Sequence, residues 1–237
     1  GKPIRDDFKY YDSIEKRICN QQGGCISSFK LNPDIYRKIE IHKAFLQNTV
    51  FLDPYIIKET ESLVMKFWAD LKFKREDKKI VKFINSSFDL GVESISYVPL
   101  NGKNQLILEF SDHSVRLVDL GDGVKYAILL YSVFIAVNPK IVLIDDVESH
   151  LHIGGLSKII EAILDYSKKN NAQFIMTTHS IEFIEELVRL AKHKGFKSNE
   201  VTVFHLLRKG DRVLSRRYNL DEAYRYIFTI GSDLRKP

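Results

Sequence analysis

Two cysteines, one tryptophan, two methionines and six prolines among 237 residues leave several protein classes without their raw material. Cys19 and Cys25 are too few and too closely spaced for the disulfide framework of a small secreted domain, and no charged-then-apolar leader opens the chain. They read as two free thiols, and the expected location is cytoplasmic. Twelve glycines without a period exclude a collagen-like chain, and 44% apolar with 28% charged residues excludes low complexity and global disorder. No apolar run approaches the roughly 18 residues that a spanning helix needs. The greasiest segment, Ala127 to Val137, stops at Asn138-Pro139, so no membrane partner is expected. Internal repeats are missing too. Charge of either sign is not in large excess: 36 basic minus 31 acidic residues gives +5, which permits a DNA or RNA partner without requiring one.

What is present is enough chain for a sizeable core. Residues 1–55 show no single period, with turn signals at Gln21-Gln22-Gly23-Gly24 and Asn32-Pro33, and read as the end of an incomplete N-terminal lobe. In 56–118, Leu63, Val64, Phe67, Trp68 and Leu71 recur at helical spacing and predict an amphipathic helix of about five turns beginning at Ile56. The mixed charges of Lys72 to Lys79 read as a solvated face. Alternation in Ile95 to Val98, the Asn101-Gly102 pair and the stretch Gln105 to Phe110 predict a hairpin, with Ser114 to Val118 a further strand. From 119 the rhythm changes. Val124 to Val137 is apolar nearly all round and predicts a buried helix, and Ile141 to Ile144 predicts a central parallel strand covered on both faces. A helical stripe (Leu156, Ile159, Ile160, Ile163, Leu164), a strand at Gln173 to Thr177 and a helix through Ile181, Ile184, Leu187 and Val188 follow. Val201 to Leu207 and Arg212 to Tyr218 predict a closing hairpin, and Asp221 to Phe228 a terminal helix. The fold class is therefore α/β, a mostly parallel sheet flanked by helices with a helical and β-hairpin insertion.

In such sheets ligands bind beyond the carboxyl ends of the strands. One predicted strand ends Ile144-Asp145-Asp146-Val147-Glu148-Ser149-His150-Leu151-His152, delivering adjacent carboxylates that an ion such as Mg²⁺ would relieve of mutual repulsion. A solvated acidic turn is the plain alternative. Another strand ends Thr177-Thr178-His179-Ser180, a histidine before a serine able to cap the next helix. Before the buried helix stands Asp119-Leu120-Gly121-Asp122-Gly123-Val124-Lys125, where glycines would let a phosphate approach the exposed N–H groups, or where a loop simply meets a helix.

Taken in this order and spacing, these three segments resemble the signature motif, Walker B, D-loop and switch histidine of ABC-type ATPase heads, a branch of the P-loop NTPases. The Leu-His after the acids is similar to the overcoming-lysogenization-defect proteins and related AAA-labelled archaeal and bacterial ATPases, as is the tail Ile230-Gly231-Ser232-Asp233-Leu234-Arg235. The resemblance covers about 50–237, with 119–237 as the ATPase-like C-terminal lobe. It implies that Asp145 holds Mg²⁺ and that Asp146 takes the place of the catalytic carboxylate toward water. His179 would sense the γ-phosphate of ATP, and Ser149 and His150 would lie in the D-loop. Gly121, Asp122, Gly123 and Lys125 would cap nucleotide across a head-to-head dimer, so the implied partner is a second ATPase head, another copy or a P-loop-bearing chain.

Departures accompany the resemblance. No Gly-x-x-x-x-Gly-Lys-Ser/Thr phosphate loop occurs in the 237 residues. Asp146 is one methylene shorter than the usual glutamate, Gly121 stands where a serine is frequent, and Val147 replaces a frequent proline. Slow hydrolysis is the expectation. The competing readings are a non-hydrolysing pseudo-ATPase interaction module and a hydrolytic metal site built on His150, His152 and nearby acids.

Overall fold

The structure, a computed structural model, describes residues 48–231 and 233 apart from Asn101, His152 and Asp211, together with the backbone of two N-terminal strands. Those strands, β1 (Ile14–Cys19) and β2 (Cys25–Leu31), pair antiparallel with Ile14 opposite Leu31 and Cys19 opposite Cys25. They belong to a unit spanning 1–47, separate from 48–237. The predicted turns at 21–24 and 32–33, and the state of the two thiols, lie outside the described residues.

In the larger unit, β3 (Thr49–Leu52), β7 (Ile141–Ile144) and β8 (Gln173–Met176) form a parallel sheet with β7 in the middle. Leu52, Ile144 and Met176 stand side by side in one row, and Phe51, Leu143 and Ile175 in the next. Because side chains alternate across a strand, the two rows face opposite ways. Leu52, Val142 and Ile144 are at most 3% exposed, beneath the helices. Phe51 and Ile175 are 57% and 54% exposed. The expectation that β7 is covered on both faces is corrected accordingly: among the described residues, the second face of this sheet is open around Leu143.

The covering layer is centred on α3 (Asp122–Ala136), whose Tyr126 to Leu130, Val133 and Phe134 are all buried, as its sequence predicts. Phe134 stacks on Tyr166 of α4 (Ile153–Asn170) at 4.2 Å and meets Phe174 of β8 edge-on at 5.8 Å. The helix stops where Asn138 turns left-handed (φ 49°) before Pro139. The Tyr166 hydroxyl reaches both Asn138 Oδ1 (3.0 Å) and the Pro139 carbonyl (3.1 Å), and burial pushes its pKa up to about 12.

The five-turn helix expected from Ile56 is two pieces, and a further helix follows it. Asp53 Oδ1 accepts from Tyr55 N and Ile56 N and caps a 3₁₀ turn, Pro54–Glu59; α1 (Thr60–Phe73) follows. After a turn with Arg75 left-handed (φ 58°), α2 (Asp77–Phe88) begins and stacks Phe83 on Tyr131 of α3. Lys72 to Lys79 is a helix junction, solvated as expected at its basic residues but with Asp77 turned inward. Asp77 is 6% exposed and takes Lys72 Nζ at 2.8 Å, which also reaches the Ile95 carbonyl.

An antiparallel sheet follows, β4 (Ser94–Leu100), β5 (Lys103–Glu109) and β6 (Ser114–Arg116). Gly102 at φ 73° supplies part of the predicted turn, and a 3₁₀ turn at Leu117–Asp119 ends β6 earlier than expected. Beyond β8 come α5 (Ile181–His193), the hairpin β9 (Thr202–Lys209) and β10 (Arg212–Asn219), and α6 (Leu220–Tyr224). Asn219 and Glu222 form a capping box on α6. None of the described helices is long and apolar enough to cross a membrane.

Candidate functional site

Parallel pairing of β7 with β8 decides which polar residues meet at their carboxyl ends. Ile144 is opposite Met176, Thr177 N donates to the Ile144 carbonyl and Val147 N to the Thr177 carbonyl, so the residues after both strands remain neighbours. Asp145 N is held by the Leu52 carbonyl of β3 at 2.9 Å. The Thr177 hydroxyl donates to Asp145 Oδ1 (2.5 Å) and accepts from Asp146 N (2.9 Å), which joins the two acids to the next strand. Asp146 is left-handed (φ 46°), a conformation aspartate tolerates better than most residues. Its Oδ1 lies 4.0 Å from His179 Nε2, on an imidazole that is 94% exposed.

Glu148 closes this arrangement from below. Its Oε1 accepts from His179 N (2.7 Å) and Ser180 N (3.1 Å), whereas Oε2 is buried without a hydrogen-bond partner. Ser180 caps α5 by accepting from Phe183 N at 3.0 Å, as its place in the sequence suggested. Asp145, Asp146 and His179 are therefore brought to one edge, with Thr177 and Glu148 between them.

The second group gathers at the start of α3. The Gly121 carbonyl accepts from Val124 N and Lys125 N, and Lys125 Nζ pairs with Asp122 Oδ1 at 3.1 Å. His150 reaches across: Nε2 is 2.6 Å from the Pro54 carbonyl, Nδ1 is 4.0 Å from Asp122 Oδ2, and the ring lies 6.1 Å from that of Tyr126. Burial raises the Tyr126 phenol far above its ordinary range. The two glycines differ. A Cβ on Gly123 would sit 3.2 Å from the His150 carbonyl, so the second glycine lets the 146–151 turn approach the helix. A Cβ on Gly121 meets nothing within 4 Å. Ser149 is exposed, its N–H donating to the Asp146 carbonyl.

The turn at 145–150 thus belongs to both groups. Thr177 and Glu148 were not singled out from sequence as site residues. Thr177 could have been, because a parallel register sets the residues that follow two adjacent strands side by side. Of the histidine metal site, His152 lies outside the described residues and both ring nitrogens of His150 face protein oxygen atoms. Among the described residues no group of three or more His, Cys, Asp or Glu could hold a metal ion.

A parallel sheet with acids at the end of its central strand, a Thr-Thr-His-Ser turn beside them and helices packed on it is the α/β fold of the P-loop NTPases. The Smc head bound to the C-winged helix domain of ScpA shares it, with a TM-score of 0.54 and 15% identity over 90% of this chain and 70% of that one. The chain belongs to the family described as "AAA domain, putative AbiEii toxin, Type IV TA system", whose model matches residues 42–185. An ATP/GTP phosphatase of Helicobacter pylori is 34% identical over 147 residues, which are 60% of this chain and 38% of that protein. An uncharacterized protein of Methanocaldococcus jannaschii is 27% identical over 116 residues, 49% of this chain and 99% of its own length. The chain thus spans well under half of the curated phosphatase it matches.

Proposed function

We propose that this chain is the C-terminal lobe of an ABC-type ATPase that binds ATP between two heads, hydrolyses it slowly, and drives a nucleic-acid-directed process. Its Leu151-His152 pattern supports placing it near the overcoming-lysogenization-defect proteins and related AAA-labelled archaeal and bacterial ATPases. The observation that carries the reading is the pair Asp145 and Asp146 at the end of β7, joined to the neighbouring strand by Thr177 and set 4.0 Å from His179. Asp145 and Thr177 offer hard oxygen donors, and Mg²⁺ typically takes only one or two carboxylates besides phosphate and water. An all-protein metal cage is not required, so the donor set fits. Bound Mg²⁺ would neutralise phosphate charge there. Asp146 would accept a proton from water or orient it, and His179, exposed beside it, would donate to a terminal phosphate oxygen.

The phosphate cradle is proposed to come from polypeptide outside these 237 residues, in a lobe that also covers the open face of the parallel sheet. Phe51 and Ile175 support this, because parallel sheets bury both faces. The segment 56–118 is proposed as an insertion beside the ATPase-like lobe 119–237. The signature at Gly121 to Lys125 would face nucleotide held by the opposing head, with Ser149 at the same dimer seam and His150 turned inward as its support. The work is placed in the cytoplasm. DNA or RNA as the object of that work rests on the resemblance and on the mild basic excess alone.

ATP turnover of the intact gene product, measured beside Asp146→Asn, tests the reading. Loss of turnover by about a hundredfold or more is expected, the scale of removing a positioned general base. Absent turnover overturns it and leaves the non-hydrolysing pseudo-ATPase module, and equal turnover in the two proteins overturns the role given to Asp146.

A further inference from the structure

Glu148 is the third acid of the 145–148 turn, and nothing in the proposed chemistry uses it. Its carboxylate meets the backbone of the His179 turn. One oxygen takes two consecutive N–H groups, His179 at 2.7 Å and Ser180 at 3.1 Å. These groups sit just ahead of α5, where the helix dipole adds to their attraction for an anion. Ser180 N has a second acceptor in Thr178 Oγ1 at 3.1 Å. The other oxygen, Oε2, is buried with no hydrogen-bond partner.

Capping alone does not account for this contact, because α5 already has its own cap in Ser180. What Glu148 adds is a connection: through residues 146–148 it fixes the backbone of His179 to the chain that carries Asp146. Across this connection His179 Nε2 lies 4.0 Å from Asp146 Oδ1.

We infer that Glu148 is a positioning residue, a latch that sets the switch histidine against Asp146 and couples the D-loop turn to the start of α5. The inference builds on the proposed ATPase reading, but its first test does not depend on hydrolysis. Amide hydrogen exchange at His179 and Ser180 is measured in the chain itself, in Glu148→Gln and in Glu148→Ala. Exchange at His179 is expected to be slowest in the parent, intermediate in Glu148→Gln, and about tenfold or more faster in Glu148→Ala, the factor a charge-assisted hydrogen bond contributes. If Glu148→Ala does not fold, acceleration in Glu148→Gln decides. Unchanged exchange overturns the latch.

The second test is a double-mutant cycle on turnover in the intact gene product. Glu148→Ala is expected to lower kcat about tenfold with KM for ATP little changed, Glu148→Gln to restore most of it, and Glu148→Ala to have less than about a twofold effect when His179 is already alanine. An equal loss in both backgrounds makes Glu148 merely structural and overturns the inference. Should the parent show no Asp146-dependent turnover, the ATPase reading falls, and the exchange measurement still decides the latch.

Discussion

Thr177→Val removes one hydroxyl and keeps the side-chain shape, so it isolates the connection between β7 and β8. Two hydrogen bonds are lost: the charge-assisted one to Asp145 Oδ1 at 2.5 Å and the one from Asp146 N at 2.9 Å. In a dry interior these would total about 3 kcal/mol, but Thr177 and Asp145 are exposed and water replaces much of the loss, leaving about 1 kcal/mol. For a domain of this size that lowers Tm by about 2–4 °C. The local effect is larger than the global one. Asp146 is left-handed, and with its N–H no longer accepted by Thr177 the turn has less reason to stay there. Faster amide exchange at Asp146 is expected in the valine variant. Thr177→Ser, which keeps both hydrogen bonds, should behave as the parent does. A valine variant with unchanged melting and unchanged Asp146 exchange would refute the claim that this hydroxyl organises the acidic edge.

The two glycines of the α3 start give opposite outcomes. Gly121→Ser adds an N-cap oxygen where a Cβ meets nothing, and should raise stability by about 0.3 kcal/mol in thermal unfolding. Gly123→Ala drives a methyl against the His150 carbonyl at 3.2 Å, and should cost about 1–3 kcal/mol in the same measurement. Glu186 has a pH signature. Arg189, bonded to both its oxygens, and the Ser157 hydroxyl hold its carboxyl below the usual glutamate range. Its folded-state pKa is depressed, so its stabilising contribution is complete above the ordinary glutamate pKa and lost as pH falls through the folded value. The difference in Tm between the parent and Glu186→Gln should be flat from pH 7 to about 5 and shrink below about 4.5.

Most of the α/β half was legible because burial on a strand or helix leaves a period in the sequence. Ile141 to Ile144, Gln173 to Met176 and the all-round apolar α3 stand where the pattern put them. The failures have a common physical origin. A short continuous apolar run records that both faces of a strand avoid charge, and Leu143, flanked by the exposed Phe51 and Ile175, shows that this does not say what covers each face. The start of α2 was hidden for a related reason. Arg75 is neither glycine nor asparagine, so its left-handed turn left no compositional mark, and the buried Asp77 read as one more solvated charge until Lys72 was seen to pair with it.

At the site the distinction is between residues whose role is set by their own strand and residues whose role is set by a neighbour. Asp145 and Asp146 follow directly after one apolar run and His179 stands three residues beyond another, so the parallel topology sends them to one edge. Gly123 and His150 depend on each other across 27 positions, and only the approach of the His150 carbonyl shows that the second glycine has a packing reason. A Gly-x-Gly pattern before a helix therefore mixes two constraints that sequence cannot separate. Gly121 has open space beside it and carries what remains of the phosphate argument, whereas Gly123 has a packing reason that owes nothing to a nucleotide. Glu148 is the same problem in an acid: its neighbours in sequence suggest metal chemistry, and its neighbours in space, the N–H groups of His179 and Ser180, give it a different task.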